Sequence, residues 1–306
     1  MKQLWTIVLL TMLLAGCSKT PTLPEQNAVY YWRTEWRLDS TERSFLRQYD
    51  ISKVYCRYFD VVMQDGEPMP NATIHFGEPV PSSVEIIPTV YITEDCMHHR
   101  HKGLAKKVVE RVLQMNATND IKGVRELQID CDYTARSRQT YYDFLKEVNS
   151  QLSTSLALQR HTLKARSSHS QSGNTQFSLS TTIRLHQLSM APPPVDYGVL
   201  MVYNTGDPRR FAERNPILDI RDVKPYVRHL ADYLLPLAAA YPVYLWQRHI
   251  HGVRVDHWVE SEEILRVKTT IEKERPSLST SILTYHLDNE NIKRYQPETF
   301  EKIYQH

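Results

Sequence analysis

Two hydrophobic periods take turns along this chain. Short runs rich in Val, Ile, Tyr and Thr, bounded by Pro, Asp, Asn or Ser, predict strands at 28–33, 52–60, 84–92, 124–132, 178–187, 196–203, 242–247 and 278–286. Between most of them apolar residues recur every three or four positions. Leu104, Val108, Val109 and Val112 mark a helix over 102–116. Further helices are predicted from Ser40, over 137–150, over 222–235 with Asp222 as N-cap, over 260–274 and over 297–305.

Eight strands alternating with helices predict an α/β fold, a single (β/α)8 barrel, for which ~250 residues is the usual size. The repeat is irregular. After the second strand, FDVVMQDGEPMPNATIHFGEPVP reads as a hairpin around Asp65-Gly66, and between the fifth and sixth only SMAPPPV is available, too short for a crossover helix. LSTTIRLHQL (179–188) and LSTSILTYHL (278–287) form an internal echo that suits a repeated strand. The stretch 160–176 is polar, Ser-rich and aperiodic, so a mobile insertion is predicted there. A doubly wound open sheet is the alternative architecture, but no Gly-rich phosphate loop follows any strand.

The first residues add a location. Lys2, an apolar run from Leu4 to Leu14, then Ala15, Gly16 and Cys17 describe a secretory signal. The run is too short to span a ~30 Å hydrocarbon layer. Leu14-Ala15-Gly16-Cys17 resembles the bacterial lipobox, and the resemblance implies a lipidated Cys17 that holds the protein to a bacterial membrane. An ordinary cleaved signal with a chance Cys17 is the alternative. The expected organisation is signal and lipobox over 1–17, a polar tether over 18–27 (SKTPTLPEQN) and the barrel over 28–306. Ser18 rather than Asp after the cysteine directs the expectation to the outer membrane of the cell envelope.

Composition narrows the partners. Of 306 residues, 37 are Lys or Arg and 35 Asp or Glu, and no basic stripe interleaves with aromatics, so no nucleic-acid partner is expected. The sequence implies no cofactor. Cys56, Cys96 and Cys131 remain after Cys17, an odd number that implies no disulfide framework, although one bridge stays open.

The fourth strand carries the candidate chemistry. In VRELQIDCDYT (124–134), Asp130 and Asp132 stand two apart where an apolar strand closes. Alternation puts both on the inward face of a barrel, at the C-terminal end where such barrels keep their sites, with Ile129 and Cys131 on the other face. Like charges and burial make the pair costly, so it needs a ligand, a cation or a helix to cap. Arg136 or Arg138 could pair with Asp132 instead, leaving it a structural residue.

Leu-Gln-Ile-Asp-Cys-Asp-Tyr-Thr resembles the strand-four signature DxxDxDxE of family 18 chitinase-type glycosidases, and Met201-Val202-Tyr203-Asn204 resembles their strand-six Met-x-Tyr-Asp. Barrel, lipobox and acid pair together are also similar to a family of bacterial envelope lipoproteins with glycosidase-like barrels. The resemblance implies a glycan ligand, with Asp130 and Asp132 positioning its acetamide. It departs from the pattern where chemistry is decided: the first Asp falls on Leu127, the proton-donating Glu on Thr134, and Asn204 follows Tyr203. Threonine cannot donate a proton at a useful pKa.

Glycosidases need two carboxyl groups, and Glu94, Asp95 and Asp60 are available after the third and second strands. Glu94 joins Asp130 and Asp132 as the candidate catalytic set. Tyr203, Asn204, Trp246, Trp32, Arg57 and Gln187 are the candidate ligand-binding set: strand-end aromatics to stack on a sugar, a guanidinium within an apolar strand that needs an acid, and polar amides. His98 with His101, or His249 with His251, has ligand spacing but no standard zinc pattern, so no metal is expected. Two functions stay open, a glycan-active enzyme and a catalytically silent barrel that binds glycan or serves the envelope structurally.

Overall fold

The computed structural model of the chain describes residues 22–166, 177–207, 213–250 and 253–306, with backbone alone for 156–166, 248–250 and 253. Eight parallel strands close into a barrel: β1 (Gln26–Tyr31), β2 (Ile51–Gln64), β3 (Glu85–Ile92), β4 (Glu126–Asp130), β5 (Ser178–Arg184), β6 (Tyr197–Met201), β7 (Leu237–Pro242) and β8 (Ser281–Tyr285). Each pairs with the next, and β8 pairs with β1, so the barrel has no open edge. Around it stand α1 (Ser40–Gln48), α2 (Leu104–Thr118), α3 (Arg138–Arg166), α4 (Ile220–Val227), α5 (Ser261–Glu274), α6 (Asn289–Arg294) and α7 (Pro297–Ile303). No helix among the described residues is long and apolar enough to cross a membrane.

The irregularities fall where the sequence places them. β2 continues beyond the barrel to Gln64 and turns back as an antiparallel strand, Glu67–Asn71. The turn is Asp65 (φ 51°) and Gly66 (φ 84°), the pair of left-handed residues that a tight hairpin requires. After β5 there is only a 3₁₀ turn, Leu185–Ser189.

Other boundaries move. β7 is LAAAYP at 237–242, not the predicted 242–247. Alanine has low strand propensity, so the run Ala238-Ala239-Ala240 is inconspicuous in the sequence, yet all three are fully buried at a crowded position between β6 and β8. The aromatic and β-branched residues that follow open a two-stranded hairpin, Trp246–Ile250 with Val253–His257. α4 starts at Ile220 with Asp219 as its N-cap, accepting from Arg221 N at 2.8 Å, whereas Asp222 lies in the first turn. α3 runs through Arg166 into the stretch expected to be aperiodic; 167–176 lie outside the described residues, as do Cys17 and the tether up to Pro21. β1 takes in Gln26 and Asn27 from the end of that tether.

Two polar clusters brace the barrel's N-terminal end. The Glu126 carboxylate accepts from Ser180 Oγ at 2.6 Å and from Tyr197, with Lys53 Nζ 3.7 Å away. Arg275, just past α5, is buried and donates to the carbonyls of Tyr233 (2.6 Å), Leu235 (2.7 Å) and Leu230 (3.4 Å), tying the segment before β7 to the helix after it.

Candidate functional site at the barrel mouth

On the inward face of β4, Glu126, Gln128 and Asp130 alternate with Leu127 and Ile129, and all five are buried. β5 answers with Ser180, Thr182 and Arg184 at the same period. The two strands form a ladder of polar contacts up the interior. Below the mouth, Gln128 Oε1 accepts from Tyr30 Oη of β1 at 2.9 Å. At the mouth, Asp130 Oδ1 accepts from Thr182 Oγ1 at 2.6 Å and from Arg184 Nη2 at 3.0 Å.

Arg184 explains why a buried acid is tolerated there. Burial pulls its guanidinium pKa down, but Asp130 and then Asp132 pull it up, and the net shift is upward, so it stays charged. A hydrogen-bonded ion pair offsets the desolvation of both members. The acid pair itself is unequal. The β4 ladder stops at Asp130, so the alternation that predicts an inward Asp132 no longer applies, and its side chain is 55% exposed at the rim. Asp132 Oδ1 lies 4.0 Å from Arg184 Nε and 3.8 Å from His186 Nε2. Arg184 therefore stands between two carboxylates that the sequence alone reads as repelling.

The walls are aromatic. Tyr203 packs against Tyr285 with ring centroids 4.8 Å apart, Tyr244 against Tyr285 at 5.3 Å, and Tyr30 and Trp32 each lie 5.7 Å from Tyr285. Burial raises the phenol pKa values of Tyr203, Tyr244 and Tyr285, so all three remain neutral hydrogen-bonding groups. Arg57 holds its guanidinium over the Trp32 ring at 5.7 Å and pairs through Nε with Asp60 Oδ1 at 2.7 Å, so the acid it requires comes from its own strand. Asn204, in the left-handed region at φ 53°, accepts from Tyr244 Oη at 2.6 Å.

Three candidates take other places. Gln187 is fully buried: Oε1 accepts from Arg184 N at 2.8 Å and Nε2 donates to Tyr133 O at 2.9 Å, so it holds the loop after β4 instead of facing a ligand. Trp246 does not close β7; it opens the hairpin beyond it, half-buried against the core. Glu94 begins a 3₁₀ turn after β3 and accepts from Thr134 Oγ1 at 2.6 Å and Ser137 Oγ at 2.9 Å. Burial is the largest single influence and raises its pKa, but these two hydroxyls, the Thr134 backbone and His98 together outweigh it, and the net shift is downward. A carboxyl held ionised in this way is a poor proton donor.

Arg184, Tyr244 and Tyr285 are the mouth residues that sequence reasoning missed. A signal existed for the first: Ser180, Thr182 and Arg184 share one polar face of a strand that carries Leu179 and Ile183 on the other. Among the described residues no group of three or more His, Cys, Asp or Glu could hold a metal ion; the His249 side chain and His251 lie outside them. Cys56, Cys96 and Cys131 are all buried and unbridged, and burial raises the pKa of each.

No family model matches this sequence, and no curated protein matches it. Solved structures do. A chitinase from Bacteroides thetaiotaomicron superposes with a TM-score of 0.57 at 11% identity, covering 93% of this chain and 99% of that one. The spore cortex-lytic enzyme SleL of Bacillus cereus gives 0.55 at 14% identity, over 92% of this chain and 74% of that one. SleL of Bacillus megaterium QM B1551 gives 0.54 at 10%, over 94% and 76%. At such identities the likeness is one of fold, and the fold is the closed (β/α)8 barrel.

Proposed function

We propose that the barrel mouth binds a glycan and does not hydrolyse it by the family 18 route, and that a lipid on Cys17 holds the protein in the bacterial envelope. The observation that carries the binding reading is the mouth itself: a fixed carboxylate, Asp130, a rim carboxylate, Asp132, and a guanidinium, Arg184, enclosed by Trp32, Tyr203, Tyr244 and Tyr285. Aromatic faces stack on the apolar face of a pyranose, and oriented charges meet its hydroxyl and acetamide groups. The fold neighbours, a chitinase and two cortex-lytic enzymes, support the glycan class. Against hydrolysis stands Thr134, whose hydroxyl donates to Glu94 where the resemblance puts the proton donor. That contact also motivates the second reading, hydrolysis with Glu94 as a relocated acid, which its lowered pKa disfavours.

Calorimetric titration with N-acetylglucosamine oligomers, beside a reducing-sugar assay, separates these readings. Saturable binding without product release is expected. Asp132→Asn, at an exposed position that costs the fold little, is expected to weaken binding on the order of tenfold. Release of reducing ends that Glu94→Gln abolishes would establish the second reading, and no binding to any oligomer would sink both.

A further inference from the structure

A cavity of ≈ 720 Å³ lies beside the mouth and shares Trp32 with it. Its other walls come from the segment after β1, from α1 and from the loop that carries Glu78. The lining is charged with both signs: Arg33 and Arg37 against Glu35, Asp39, Glu42 and Glu78. Local alternation aims part of this set. Glu35 and Trp36 pair in parallel with His75 and Phe76. Trp36 is fully buried, 4.7 Å from Tyr31 and 6.2 Å from Phe76 between ring centroids. Glu35 and Arg37 therefore share the opposite face.

These groups differ in how freely they can meet a ligand. Arg33 Nη2 is committed to the buried Glu42 carboxylate at 2.8 Å and to Arg37 O at 2.9 Å, which fixes the floor, while its Nε is buried without a hydrogen-bond partner. Arg43 holds Glu78 at 2.6 Å. Glu35 and Arg37 pair with each other at 3.1 Å, but their side chains are 53% and 65% exposed, and an exposed pair of this kind is worth little. Each can turn to an incoming group of opposite charge. Gly77 makes the room for them: a Cβ there would lie 2.8 Å from Glu35 Oε1 and 3.2 Å from Arg37 Nη2.

We propose that this cavity is a second subsite, which receives a zwitterionic substituent, a short peptide bearing an ammonium and a carboxylate, on a glycan whose sugar lies against Trp32. The inference rests on the glycan reading and narrows its ligand to peptide-bearing saccharides. Glu35 meets the ammonium and Arg37 meets the carboxylate, with Arg33 and Glu78 held in the walls behind them.

Calorimetry with three probes tests it: a peptidoglycan disaccharide with its stem peptide, the same disaccharide without the peptide, and the free peptide. Wild-type protein is expected to prefer the peptide-bearing form on the order of tenfold. Glu35→Gln with Arg37→Gln should remove that preference and leave the bare disaccharide's affinity unchanged. Gly77→Ala, which displaces the pair without removing a charge, should reduce the preference, and circular dichroism melts check that both variants fold. Equal affinity for the two saccharides, or a preference that survives the double substitution, overturns the subsite. If no saccharide binds but the free peptide does, and the double variant loses it, the glycan reading falls and the subsite stands. If no probe binds, both fall.

Discussion

Glu126 shows at one position what the polar ladder costs. Its carboxyl lies in the closed end of the barrel, where burial raises its pKa and Ser180, Tyr197 and Lys53 recover only part of the shift. An acid whose folded pKa is raised binds its proton more tightly in the native state. The native state is therefore favoured by this group at low pH, and that advantage is lost as the pH rises from the unfolded carboxyl's ~4.3 through the raised folded value. Glu126→Gln keeps an oxygen to accept from Ser180 and removes the ionisation. It is expected to raise the urea midpoint at pH 7 and to differ little from wild type at about pH 4; a midpoint lowered at pH 7 would mean that the Lys53 pair outweighs desolvation. The same ladder explains how much of the mouth was legible. Asp130 was readable because its strand keeps phase up to its last residue. Asp132 was misplaced because a period of two holds only while the ladder lasts. Arg184 was overlooked because its role depends on β5 lying beside β4, a register no local pattern contains.

Among the elements, the apolar strands with branched side chains were readable and the alanine strand was not. Propensity reports how well a side chain fills an ordinary strand surface. β7 is buried on both sides and lies between closely packed neighbours, where small side chains fit and propensity misleads. The segment before β7 is held by Arg275, a guanidinium with three carbonyl partners and no carboxylate among its bonds. Burial lowers its pKa to about 10, with Tyr233 opposing, which leaves it charged at neutral pH. Arg275→Met fills similar volume but strands three buried carbonyls. A loss of about 3 kcal/mol is expected, read as a lower denaturant midpoint at unchanged slope. An unchanged midpoint would show that other donors or water replace the guanidinium.

At the scale of the whole molecule, the eightfold repeat was legible in the alternation of periods, and its gaps after β2 and β5 in loop length and turn residues. Closure was not, because the pairing of β1 with β8 joins residues at the two ends of the sequence. The proposed lipid anchor belongs to this scale as well. Cys17→Ala is expected to move the protein from the membrane pellet to the soluble fraction after cell lysis, and continued pelleting at high salt would refute the anchor. Strand polarity then gives the anchor a direction. Gln26 starts β1 beside Thr280 and Ser281, at the barrel's base, whereas Trp32 and Asp130 lie at the opposite, C-terminal ends of their strands. The proposed lipid on Cys17 would tether that base through a segment that spans at most ~30 Å when fully extended. On that proposal the tethered end would be the one opposite the mouth, which would leave the mouth free to meet a ligand fixed in an extended network without release of the anchor.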